Sequence, residues 1–422
     1  MSASLRSSWL TAHRWLGLTI GLVFVLIGLT GSLLVFDHAI DEWLNPDLLL
    51  SSGNGDRASI AQIIESAEEA YPGAAVSVSR PRVTNGVWTV WFSTGTDAEP
   101  EFKAVYIDPY SAKVTGQRVW GEDLMSWIYR LHFQFLAGKS GATLVGIVGI
   151  IIMISIASGI CLLWPLWKHS WRSGFAIRRG SRFNYDLHKT LGIVSASFLL
   201  VITFTGIYME FPEWFTTTVR TFAEVTAPPE ALISKAQESA RPMTPDQAIV
   251  IAREQFPNAK FDHLHPPIGK EGFYEVVFRQ PWEVQRSFGR SQVFLDQYNG
   301  KVLAIRRPED STTADAFFAW QFPLHNGEAF GLFGRWLVFF TGLVPTVLYA
   351  TGTLLWWRKS RARRQQRRPA EARGATPLRA RADTPDVVPH ERDTAGVLPM
   401  STRTLHRSDG TSSFTFRGPD RR

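Results

Sequence analysis

Four stretches of the chain, residues 15–36, 142–164, 191–209 and 336–357, contain no charged side chain. An uncharged run of about twenty residues is long enough to cross a hydrocarbon core roughly 30 Å thick. Inside lipid such a run must be helical, because its backbone polar groups have no water to turn to. The expected fold class is therefore an α-helical integral membrane protein with four transmembrane helices. The first run is too long for the apolar centre of a secretory leader, and no small-x-small cleavage pattern follows it, so it reads as an uncleaved span.

The four runs form two tandem repeats. "HRWLGLTIGLVFVLIGLTGSLLVF" from His13 aligns without gaps to "HKTLGIVSASFLLVITFTGIYMEF" from His188, an offset of 175 that also carries Gly17 onto Gly192, Thr30 onto Thr205 and Gly31 onto Gly206. "LHFQFLAGKSG" around His132 matches "LHNGEAFGLFG" around His325 with an offset of 193, which maps Gly149 onto Gly342 and Gly159 onto Gly352. The segments between the runs repeat as well, with an offset of 185 from Ser59 to Thr244. Each begins with a capping box, Ser59 with Gln62 and Thr244 with Gln247, opening an amphipathic helix that stops at Tyr71-Pro72 or Phe256-Pro257. Alternating strands such as "VWTVWF" and "YEVVFR" follow, and the turns "VYIDPYSAKV" and "VFLDQYNGKV" close each unit. Each intervening unit is thus expected to be a helix packed on its own small antiparallel sheet.

Basic residues set the orientation. Lys168, Arg172, Arg178, Arg179 and Arg182 follow the second run, and "RKSRARRQQRR" follows the fourth. Both segments are expected in the cytoplasm, together with the N-terminus and its Arg6 and Arg14. The partition that results is an N-terminal segment and first span (1–36), an external domain with its histidine-bearing approach (37–141) and a second span (142–164). A basic loop (165–190) leads to the third span (191–209). A second external domain and approach (210–335), the fourth span (336–357) and a basic, disordered tail (358–422) complete it. Much of the net charge of +7 lies in that tail, which suits anionic lipid and retention on the cytoplasmic side; nothing points to nucleic acid. The lone Cys161 excludes a disulfide framework and a thiolate metal cluster.

Repeats with an even number of spans share one orientation, so an axis along the membrane normal should relate them. Such an axis brings His13 toward His188 near one face and His132 toward His325 near the other. Two neutral imidazoles facing across a gap can fill both axial positions of a haem iron, an arrangement suited to electron transfer. Gly17 and Gly192 lie one turn after their histidines and offer clearance for a porphyrin; Gly138, Gly141, Gly331 and Gly334 offer it near the other pair. Arg14 and Lys189 adjoin the first pair as partners for propionates. Zinc or proton sites compete for the same histidines, and so do plain interfacial capping and the use of glycine for helix packing. No carboxylate accompanies either pair within the runs. "DHLHPP" sets His263 and His265 on one strand face, as a metal contact or as a solvated loop; His38, His390 and His406 lack repeat partners, and His169 on the basic loop is a minor candidate ligand. No nucleotide-cradling glycine loop, nucleophile elbow or HExxH helix is present.

With "HRWLGL…LTGSLLVF", "LHFQFLAGKSG", "HKTLGI…FTGIYMEF" and "LHNGEAFGLFGRW…TGTLLWW" in order, the chain resembles the bacterial PepSY-associated transmembrane family of iron-regulated inner-membrane proteins. The resemblance implies that the two external units are PepSY-like α+β domains. It also implies, for the di-haem ferrioxamine-reductase type, two b-type haems held by His13 with His188 and by His132 with His325. The implied activity is reduction of a ferric siderophore in the periplasm to release Fe²⁺. Some members carry a fused flavin reductase domain, which this chain lacks, so the implied electron donor is a quinol or a cytoplasmic flavoprotein. The rival readings are a membrane-tethered regulatory or protease-binding module without redox activity, and a metal transporter using the histidine pairs directly.

Overall fold

A computed structural model describes residues 3–96, 99–229, 232–235 and 241–374. The tail expected to be disordered falls mostly in 375–422, outside the described residues. The architecture below is that of the compact unit ending at Gln365.

The first repeat opens with helices α1 (Ala3–Thr19) and α2 (Gly21–Leu34), then the short α3 (Asp37–Leu44) and α4 (Pro46–Leu49). Helix α5 (Ile60–Ala70) and strands β1 (Ala75–Ser79), β2 (Trp88–Thr96), β3 (Glu99–Ile107) and β4 (Val114–Val119) follow. Helices α6 (Leu124–Gln134), α7 (Gly138–His169) and α8 (Trp171–Phe175) lead back. The second repeat runs through α9 (Phe183–Glu210), α10 (Pro212–Arg220), α11 (Pro245–Gln255) and strands β5 (Lys260–His265), β6 (Phe273–Arg279), β7 (Ser291–Asp296) and β8 (Val302–Arg306). It ends in α12 (Thr313–Asn326) and α13 (Gly331–Gly374).

Among the described residues, helices within α7, α9 and α13 are long and apolar enough to cross a membrane, and α1 with α2 adds a fourth if that bent pair is one span. Within the first apolar run the helix axis turns by 55° between Thr19 and Gly21. The Thr19 hydroxyl donates back to the Trp15 carbonyl at 2.8 Å, a contact that opens and bends helices. The ring of Tyr349 fills the notch at Gly21, where a Cβ would stand 2.6 Å from it.

The α+β units between the apolar helices differ from the expectation of two separate small sheets. They form one eight-stranded sheet in the order β4-β3-β2-β1-β5-β6-β7-β8, joined by antiparallel pairing of Val78 with Leu264 and Ser79 with His263. A single row of apolar residues crosses seven strands: Val105, Val90, Val78, Leu264, Val276, Val293 and Ile305. Helices α5 and α11 cover that row in one shared core. Both predicted capping boxes are present, and Pro245 starts α11. The Asp246 carboxylate reaches across the repeats to accept the Ile60 and Ala61 N–H groups at 2.8 and 3.0 Å, satisfying donors that α5 cannot pair internally.

The two closing turns are also equivalent. Asp108 accepts the N–H groups of Tyr110 and Ser111, as Asp296 does those of Tyr298 and Asn299. At the position where the second turn has Gly300 at φ 68°, the first holds Ala112 at φ 52°. A left-handed alanine costs roughly 1 kcal/mol. Ala112→Gly is therefore expected to stabilise the protein by about 0.5–1 kcal/mol, read as a raised midpoint in thermal unfolding.

Candidate functional site: two pairs of facing histidines

The fold brings the predicted partners together. The rings of His13 and His188 lie 6.3 Å apart between centroids, with planes at 84°. Those of His132 and His325 lie 6.1 Å apart, with planes at 62°. Four different helices, α1, α9, α6 and α12, carry these side chains.

Each imidazole rests in a seat built the same way on a neighbouring helix. His13 Nδ1 lies 3.1 Å from the Ser155 carbonyl and 2.8 Å from the Ser158 hydroxyl on α7. His188 Nδ1 is 3.1 Å from the Leu348 carbonyl and 3.0 Å from Thr351 Oγ1 on α13. His325 Nδ1 is 3.0 Å from both the Ile202 carbonyl and Thr205 Oγ1 on α9. His132 Nδ1 meets Thr30 Oγ1 on α2 at 3.0 Å, beside the Ile27 carbonyl. In all four seats a hydroxyl at one position and a carbonyl three residues earlier face the same ring nitrogen.

The hydroxyls decide the tautomer. Thr30 donates its own hydrogen to the Leu26 carbonyl at 2.8 Å, Ser158 to Ser155 at 2.6 Å, Thr205 to Val201 at 2.9 Å and Thr351 to Val347 at 2.7 Å. A hydroxyl committed in this way can only accept from the ring, and a carbonyl can only accept. Every Nδ1 therefore carries the hydrogen, and every Nε2 holds a lone pair. This is how a histidine that ligates a metal is normally oriented from behind.

The residue after each hydroxyl is glycine, and the ring lies against it. A Cβ would stand 2.8 Å from His132 Cε1 at Gly31, 3.2 Å from His13 Cε1 at Gly159, 3.2 Å from His325 Cε1 at Gly206 and 3.3 Å from His188 Cε1 at Gly352. Sequence reasoning noticed these glycines through the repeat but missed Ser158 and Thr351 as partners.

The other predicted contacts divide. Gly17 has no neighbour within 4 Å of where a Cβ would stand, and Gly192 has only Leu348 Cδ2 at 3.8 Å, so both leave open space one turn from a histidine. Gly138 is open too, with φ 58°, and Gly331 has φ 61° with Arg286 Nη2 3.8 Å from the Cβ position. The clearance expected at Gly141 and Gly334 is corrected: a Cβ there would stand 1.8 Å from the Gln134 carbonyl and 2.2 Å from the Gly327 carbonyl. Those two glycines serve close backbone packing at helix starts. Arg14 Nε is buried without a hydrogen-bond partner among the described residues. Lys189 is committed elsewhere, its amine donating to the Ala176 carbonyl at 3.2 Å and to Asp186 Oδ1 at 3.3 Å. Asp186 is fully buried and also takes the Arg178 guanidinium at 2.8 and 2.9 Å. The side chain of His169 lies outside the described residues.

A family model described as the PepSY-associated TM region matches residues 10–359, from α1 into α13. No curated protein matches the chain.

Proposed function

This chain belongs to the PepSY-associated TM region family, a family of membrane proteins, and on that premise we propose that it is a di-haem electron-transfer protein that reduces ferric siderophores outside the cytoplasmic membrane. In this reading α1 with α2, α7, α9 and α13 provide four spans, both termini are cytoplasmic, and the sheet is periplasmic. His13 with His188 holds the inner b-type haem, and His132 with His325 holds the outer one.

The observation that carries the reading is the spacing of the paired rings. A metal–nitrogen bond of about 2.0 Å, plus about 1.1 Å from nitrogen to ring centre, separates two trans imidazoles on one iron by about 6.2 Å. The two pairs stand at 6.3 and 6.1 Å. The seats support it further, since they hold Nδ1 and leave each Nε2 free to ligate. Arg14, with its buried and unpartnered Nε, suits a propionate of the inner haem, and Gly17 and Gly192 leave room for a macrocycle edge.

Bound between such pairs, haem supplies reversible one-electron chemistry with both axial positions closed to substrate. The protein's own part would be to hold two histidines for each of two irons, leave no coordination position for substrate, and present the two sites toward opposite faces of the membrane. The substrate class follows from hardness: the oxygen donors of a siderophore hold Fe³⁺ far better than the softer Fe²⁺, so one electron weakens the Fe–O bonds enough for the metal to leave, with the chelator's covalent bonds intact. The donor on the inner side is a quinol or a cytoplasmic flavoprotein. An absorption spectrum of purified protein in detergent tests this. A low-spin haem band that sharpens on dithionite and reoxidises on adding ferrioxamine is expected; a colourless protein would reject the proposal.

A further inference from the structure

The external sheet carries two histidines that the paired sites do not use. His263 and His265 alternate with Leu264 along β5, so they leave the sheet on the face opposite α5 and α11. Residues paired across an antiparallel sheet share a face. Register links Arg118 to Ala104, Ala104 to Trp91 and Trp91 to Ser77, and Ser79, two residues on from Ser77, pairs with His263. On that same face Arg118 binds the Asp41 carboxylate of α3 at 2.8 Å, directly after the first apolar run. The two imidazoles therefore hang from the side of the sheet that looks toward the membrane helices.

Their position along that face is set by the repeat. Val78 and Leu264 both face the shared core and pair with each other across the β1–β5 seam, beside Ser79 with His263, so in these strands the repeat offset is 186. Strands that pair with their own counterparts straddle the axis relating the repeats. The same axis relates His132 to His325. The seam, with its two histidines, thus stands over the outer pair. Nothing in the repeat calls for histidine here, since the counterparts of His263 and His265 on this face are Ser77 and Ser79.

Both tautomers are again fixed from behind. The Asp262 carboxylate faces His263 Nδ1 at 3.0 Å, and the Val76 carbonyl faces His265 Nδ1 at 2.8 Å. Each acceptor keeps the hydrogen on Nδ1 and the lone pair on Nε2. Asp262 is itself held by the Gly289 N–H at 3.1 Å and by Arg80 at 3.6 Å. The ring centroids stand 5.1 Å apart, closer than in either facing pair. Two imidazoles at adjacent positions of one metal, with bonds of about 2.1 Å, have centroids about 4.5–5.2 Å apart.

We propose that His263 and His265 form a binding site for a divalent transition-metal ion, oriented by Asp262, and that its cargo is the Fe²⁺ released above the outer histidine pair. The identity of the cargo rests on the reductase reading; the metal site does not. Imidazole suits Fe²⁺, whereas a hydroxamate suits Fe³⁺, so the metal changes hands after reduction. No third His, Cys, Asp or Glu completes the set among the described residues. Water or a chelate oxygen fills the remaining positions, and the site binds in transit rather than storing.

The test is anaerobic equilibrium dialysis of tag-free, full-length, haem-loaded protein against ferrous chloride, with iron counted against haem. One saturable Fe²⁺ per chain beyond the haem iron is expected. It should vanish in the His263→Gln/His265→Gln variant at unchanged haem content, and Asp262→Asn should weaken it about tenfold or more. Equal binding by wild type and double variant, or no extra iron in the wild type, overturns the proposal. Should the double variant lose haem, His265→Gln alone is read by the same criterion. Parallel dialysis against zinc chloride separates the claims: histidine-dependent zinc without iron overturns the Fe²⁺ assignment. Histidine-dependent iron in a protein that never shows a haem band overturns the reductase reading and leaves the metal site standing.

Discussion

His132→Ala is expected to halve the haem content, removing the outer centre and leaving the inner, and His13→Ala to do the converse. The two pairs share no ligand, and each ring is seated on its own neighbouring helix, so loss of one imidazole leaves the other pair's seats in place. The rings are also light contributors to packing, because their contacts run through Nδ1 and the adjoining glycine. Either variant should therefore fold and insert while losing reduction of ferrioxamine from the cytoplasmic side. Quantifying haem per chain, with separate redox titration of the surviving centre, checks this. Retention of both haems in both variants would reject the ligand set.

Asp186→Ala is expected to have the largest effect on stability. The carboxylate is fully buried and binds Arg178 and Lys189, the latter 5 % exposed. Removing it takes the counter-charge from the buried Lys189 ammonium, which keeps the Ala176 carbonyl. Because Arg178 is half exposed, the loss is expected to fall below the roughly 3–5 kcal/mol of a fully buried pair broken on one side. The ion pair also pins the 172–180 segment beside the inner histidines, through Arg178 and through the Ala176 carbonyl that Lys189 holds. A large drop in the thermal midpoint in detergent should accompany the change. Adding Lys189→Met should recover most of it, because replacing both charges is far milder than orphaning one. If the double variant unfolds as readily as the single, the charge argument fails and Lys189 acts through packing.

How much of this was readable in the sequence varied by element. The histidine pairs were, because a twofold repeat turns matching positions into neighbours without any knowledge of helix packing. Their seats were not. Ser158–Gly159 and Thr351–Gly352 look like many small dipeptides in apolar helices, and Thr341–Gly342 has the same composition but meets no histidine. There a Cβ on Gly342 would stand 2.6 Å from the Gly28 carbonyl, at a close crossing of α2 and α13. The joined sheet was hidden for a related reason. Alternation says which face of β1 and β5 is buried, but not that each strand's open edge is satisfied by the other. The bend after Thr19 has no proline to announce it. Asp246 sits in the first turn of its own helix, and nothing in its sequence setting points to the helix of the other repeat that it completes.

That last contact, with the β1–β5 seam, makes the two halves obligate partners during biosynthesis. When the ribosome finishes the first α+β unit, β1 has a bare edge and α5 lacks the carboxylate that accepts its first N–H groups. Their counterparts follow about 185 residues later, a wait of roughly ten to forty seconds at bacterial or eukaryotic synthesis rates. For that interval the nascent half-sheet is an exposed template for strand addition. The chain is thus most open to mispairing midway through its synthesis, before β5 arrives to cover the β1 edge.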